Sequence, residues 1–117
     1  MDQSLAVAAL GALAQDTRLS VFRLLVRAGP QGMIAGAVAF HNGVPVSTMS
    51  HHLAILERAG LVVARRESRH VHYTADFDGM RGLLGFLMDD CCQGNPDLCG
   101  NPVALSACEP DLAGAPA

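Results

Sequence analysis

Two short helical patterns between residues 34 and 60 are parted only by His41-Asn42-Gly43-Val44-Pro45. A break this tight forces the helices to cross within a few residues of each other, as in a helix-turn-helix. Glycine supplies the backbone conformation that ends the first helix, and proline cannot continue it. The first helix is expected over residues 34–40, and Ser47 is placed to cap the second. In the second, Met49, Leu53 and Leu56 fall on one side, while Ser47, His51, Ala54 and Arg58 fall on the other. Gly60 closes it.

What flanks this unit extends the pattern. Upstream, Leu5, Ala8, Ala9, Ala12 and Leu13 recur at helical spacing, and Asp16 can cap a further helix in which Leu19, Phe22 and Val26 share a face before Gly29-Pro30. Downstream, residues 61–67 and 70–75 are rich in β-favouring types, and Val71 and Tyr73 alternate against His70, His72 and Thr74 around a turn at Glu67-Ser68-Arg69. That describes a hairpin with a basic tip. The fold class expected is mainly α with a small β-hairpin: a winged helix-turn-helix of about five helices and a two-stranded wing.

Charge supports a nucleic-acid partner once its distribution is read. The net charge of the 117 residues is −3, but residues 1–75 carry seven arginines against four acids, whereas residues 76–117 hold seven acids and only Arg81. Lysine is absent, so phosphate contacts must come from arginine, hydroxyls, histidine or backbone amides. Hydroxyls and histidine at the start of a helix entering the major groove can reach phosphates or base edges, which singles out Ser47, Thr48, Ser50, His51 and, one face-repeat on, Arg58. Arginines on a protruding hairpin can enter a neighbouring minor groove, which singles out Arg65, Arg66 and Arg69. No apolar run approaches the roughly 18 to 20 residues of a membrane span. Asp2, not a basic cluster, precedes the apolar stretch 4–14, and a cytoplasmic protein with no membrane partner is expected.

The segment Ser47-Thr48-Met49-Ser50-His51-His52-Leu53, followed by Leu56, Ala59-Gly60-Leu61-Val62 and the hairpin, resembles the recognition segment of the ArsR/SmtB repressors. Asp16-Thr17-Arg18-Leu19 is similar to that family's approach to its second helix, so the resemblance spans about residues 5 to 90. It implies a homodimer that binds double-stranded operator DNA through an inverted repeat and joins its subunits by the N- and C-terminal helices. Phe77, Met80, Leu84, Leu87 and Cys91 step by three or four, a stripe of the width used in helix pairing. Residues 1–92 are thus expected to form the DNA-binding and dimerisation domain, and residues 93–117 a flexible tail.

Four cysteines in a reducing compartment read as ligands or reactive groups. Cys91 and Cys92 are adjacent, so a disulfide between them would be strained, and Gly94-Asn95-Pro96 turns the chain before Cys99. Three thiols suit one soft, three-coordinate ion: As(III) as inducer, with Sb(III) fitting the same donors. Zinc ordinarily takes a fourth ligand, and Cys108 lies in a Pro-, Gly- and Ala-rich tail. Many members of the resembled family carry a Cys-x-Cys pair on the helix before the turn. Residues 32–38 here have none, and the C-terminal helix has no histidine for the alternative zinc site. Cys91-Cys92 with Cys99 resembles the members whose arsenite site lies at the end of that helix. Two other readings stay open: a sensor of Cd, Pb, Zn or thiol oxidation, and a cysteine enzyme such as an arsenate reductase. The second lacks a phosphate-cradling loop around any cysteine, and no catalytic residue is assigned.

Overall fold

The computed structural model describes residues 1–88. In chain order these form α1 (Gln3–Leu13), α2 (Asp16–Ala28), a 3-10 turn (Gly29–Gln31), β1 (Met33–Ile34), α3 (Ala35–Asn42), α4 (Val46–Arg58), β2 (Val62–Glu67), β3 (His70–Ala75) and α5 (Phe77–Met88). This is the winged helix-turn-helix expected, with one strand more. β1 pairs with β3 antiparallel, Met33 opposite Tyr73, so the sheet has three strands in the order β1-β3-β2. Two residues cannot show alternation, which is why the strand leaves no trace in the sequence pattern.

The helix ends depart from the expectation in detail. α2 is capped by the Gln15 side chain, which accepts from the Arg18 N–H at 2.8 Å, and Asp16 is its first helical residue. α3 starts one residue later and runs two residues further than its pattern suggests. Before α4 the chain is extended at Pro45, whose ring fixes φ near the helical value, and it turns helical at Val46 without any side-chain cap. Ser47 therefore lies inside the first turn and not at the cap. The turn between α3 and α4 depends on Gly43 at φ 65: its N–H bonds to the Phe40 carbonyl and the Val44 N–H reaches back to Ala39, closing the helix through a left-handed residue.

The core is built where these elements meet. Val21 and Leu25 of α2, Val38 of α3, Met49, Leu53 and Leu56 of α4, and Leu61 are all fully enclosed. α1 meets this core through the enclosed Ala6, Ala9 and Ala12, with the half-buried Leu13 packed beside them. α5 docks against the end of α4: the Asp76 N–H donates to the Leu61 carbonyl at 2.8 Å, and at Gly79 a Cβ would collide with the Gly60 carbonyl oxygen. Only glycine allows that approach. No single helix among the described residues is long and apolar enough to cross a membrane.

Candidate nucleic-acid interface

The recognition helix α4 is anchored by its own inner face. With Met49, Leu53 and Leu56 at 0% exposure, the opposite row is fixed outward: Ser47, Thr48, Ser50, His51 and Arg58 are all exposed, and Ala54 is half-buried. Because Pro45 and not Ser47 occupies the cap position, the Ser47 hydroxyl is not spent on the helix terminus. It lies beside Thr48 and Ser50 in the first turn, the end by which the second helix of a helix-turn-helix approaches base edges.

The hairpin that follows is continuous from Val62 opposite Ala75 to Glu67 opposite His70, and a two-residue turn holds Ser68 at φ 57. Tight hairpin turns of this length call for such a conformation. Side chains alternate across a strand, so Arg65 and Arg66 emerge on opposite faces and Arg69 sits at the tip. All three are exposed. Arg65 shares its face with Glu67, whose carboxylate takes its Nε–H at 2.9 Å, and with His72, 3.6 Å from the same carboxylate. An exposed pair of this kind contributes about 0 to 1 kcal/mol, small enough to be given up to a phosphate. Arg66 and Arg69 have no ion-pair partner among the described residues.

Three further features escape the sequence reading. Phe40 at the end of α3 is 85% exposed and Val46 at the start of α4 is 52% exposed, so apolar surface flanks the turn on an otherwise polar side. Apolar side chains in a major groove meet thymine methyl groups. The third is Arg18, whose Nε donates to the Ala12 carbonyl at 2.7 Å and whose terminal nitrogen stands 3.4 Å from Nδ1 of His52. His52 is half-buried, and burial, then Arg18, then His51 hold its pKa below the ordinary histidine value. A contact between residues 34 apart in sequence has no local signature.

Cys91, Cys92, Cys99 and Cys108 lie outside the described residues, as does the end of the Phe77 stripe at Cys91. Within the described part of that stripe Phe77, Met80 and Leu84 are half-buried, Leu87 is exposed, and the enclosed residue of α5 is Leu83. Among the described residues no group of three or more His, Cys, Asp or Glu could hold a metal ion.

Comparison with known proteins agrees with this geometry. Residues 13–65 match the family described as a helix-turn-helix domain. The HTH-type transcriptional regulator CmtR of Mycobacterium tuberculosis is 39% identical over 84 residues, covering 71% of this chain and 69% of the relative. A solved homodimeric winged helix-turn-helix DNA-binding domain, Mb0332 of Mycobacterium bovis, a possible ArsR-family transcriptional regulator, superposes with a TM-score of 0.61 at 29% identity, covering 74% of this chain and 81% of its own. A second structure, a possible transcriptional regulator for arsenical resistance, has the same TM-score at 30% identity, covering 68% of this chain and 79% of its own. Helix-turn-helix, basic wing and relatives converge, and the chain belongs to the ArsR/SmtB-like family of winged helix-turn-helix transcriptional regulators, not to an enzyme family.

Proposed function

We propose that the protein is an arsenite-responsive repressor: a cytoplasmic homodimer that binds an inverted-repeat operator and leaves it when As(III), or Sb(III), is taken by the thiolates of Cys91, Cys92 and Cys99. The observation that carries the DNA half is the exposed row Ser47, Ser50, His51 and Arg58 on a helix whose other face is fully enclosed, beside a wing bearing Arg65, Arg66 and Arg69. Supporting the dimer are Leu5, Val7 and Leu10, which α1 leaves exposed, and the homodimeric state of Mb0332. Two such subunits would set two recognition helices in successive major grooves.

The inducer half draws on donor chemistry. Three thiols within nine residues are soft donors suited to a three-coordinate ion. The structural relative named for arsenical resistance favours arsenite among such ions. On this reading residues 93–117 contribute the third thiol, Cys99. The fold offers a route from this end of the chain to DNA: α5, which leads into Cys91, rests without clearance on the Gly60 carbonyl just beyond α4. A shift of α5 must therefore be met by the recognition helix or by the α5 docking site. Coupling of this kind is reciprocal and typically amounts to about 1 to 3 kcal/mol, or roughly 5- to 150-fold in affinity.

The test is an operator-binding titration with arsenite on the parent and on four single variants. Cys91→Ser, Cys92→Ser and Cys99→Ser each replace a soft thiolate by a hard hydroxyl and should bind operator without releasing it, whereas Cys108→Ser should respond like the parent. Parallel titrations with antimonite, Cd(II), Pb(II), Zn(II) and peroxide identify the inducer class. Loss of response in Cys108→Ser with retention in Cys99→Ser would refute the three-thiol site.

A further inference from the structure

Arg18 makes two bonds that leave its own helix. One goes to the Ala12 carbonyl, in the last turn of α1, where backbone oxygens have no helical partner. The other goes to His52, on the flank of α4. A single guanidinium thus fastens the end of α1 to the recognition helix.

The second bond depends on the state of the ring. A guanidinium only donates, so Nδ1 of His52 must carry a lone pair, which fixes the neutral imidazole with its proton on Nε2. Protonation would put N–H groups on both nitrogens and set one cation against another. The charged groups that bear on the ring are Arg18 from α2 and His51 from α4, and α1 contributes no titratable side chain. Each of these neighbours, like burial, favours the neutral form.

We propose that Arg18 is a positioning residue for operator recognition: by holding the Ala12 carbonyl and the neutral His52 ring together it sets the rotation of α4 against α1 and α2, and protonation of His52 releases that setting. This rests on the reading of α4 as the recognition helix. It differs from the direct contacts assigned to Ser50 or His51, because Arg18 acts on DNA through another side chain.

Affinity alone does not isolate the effect. Lowering the pH makes the protein as a whole more positive and strengthens binding to any DNA. The readout is therefore a ratio of affinities, for a duplex selected from a random pool by the parent protein and for a scrambled duplex of equal length and composition. It is measured from about pH 8 to about pH 4.5, a span carried below the ordinary histidine range because His52 is held below it. The parent ratio should fall about tenfold across that span, the effect of losing one hydrogen bond to a charged group. His52→Asn sets an amide oxygen where it can accept from Arg18 and does not titrate, so its ratio should stay high throughout. Arg18→Met should give a low ratio that does not change with pH while keeping the parent's circular dichroism. A flat parent profile, or a high ratio in Arg18→Met, overturns the proposal. Should Arg18→Met fail to fold, the parent and His52→Asn profiles decide by themselves: a fall in the first without the second supports the tie, and parallel profiles refute it. A parent protein that prefers no duplex at any pH would bring down the DNA-binding reading, and this proposal with it. A pH-independent preference would remove this proposal alone.

Discussion

α4 and α1 are helices of one small domain, yet they solve opposite problems. α4 buries Met49, Leu53 and Leu56 and shows hydroxyls, a histidine and an arginine to solvent. α1 buries three alanines and leaves Leu5, Val7 and Leu10 exposed at 54%, 61% and 43%. Burying large side chains stabilises by about 1.5 to 3 kcal/mol each, and alanine by far less. The recognition helix is therefore secured by its own chain, while the apolar area of α1 gains its full value only when a second surface covers it.

That contrast can be broken at several points. The largest effect is expected at the inner face of α4, where Leu53→Ala removes an enclosed side chain and should cost about 2 to 5 kcal/mol, read from the midpoint of urea unfolding at constant slope. Next comes the seat of α5. Gly79→Ala drives a methyl group into the Gly60 carbonyl oxygen and should cost about 1 to 3 kcal/mol. A stability unchanged from the parent would show that α5 can lift away from α4 freely.

On α1 the expectation reverses. Leu10→Glu should leave stability at high dilution within about 0.5 kcal/mol, because the side chain is exposed in the monomer. It should raise the dimer dissociation constant by about tenfold or more in sedimentation equilibrium. An unchanged constant would remove α1 from the dimer contact. The smallest changes are expected on the wing, where Arg66→Ala and Arg69→Ala should each reduce the slope of log affinity against log salt by about one. Arg65→Ala should reduce it by a similar amount, since its exposed pair with Glu67 is weak enough to be exchanged for a phosphate.

Much of this was legible where the signal is local and repeated. The stripe of α4 predicts its three enclosed residues, and the alternation of residues 70–75 predicts β3 at its observed bounds. Legibility fails where chemistry is decided by a neighbour distant in sequence. Leu5 looks like part of the buried side of α1, yet it is exposed, and Ala6, Ala9 and Ala12, with the half-buried Leu13, fill the contact. Leu19 is exposed because Val21, Phe22 and Leu25 take the inward side of α2. Ser47 reads as a cap, but Pro45 imposes an extended residue two positions earlier and moves the helix start. Charge and position single out the wing arginines, and the ladder adds what composition cannot carry, that Arg65 and Arg66 leave on opposite faces.

β1 is only two residues long, but it changes the mechanics of the whole reading surface. By pairing Met33 and Ile34 with Tyr73 and His72, it stitches the chain just before α3 to the strand that descends from the wing tip. Through that pairing, made in the middle of β3, the helix-turn-helix and the wing share one sheet, like the two jaws of a caliper set on a single frame. In a dimer, two such frames face DNA together, and the spacing between their reading surfaces is set at the joint between subunits, not within either one.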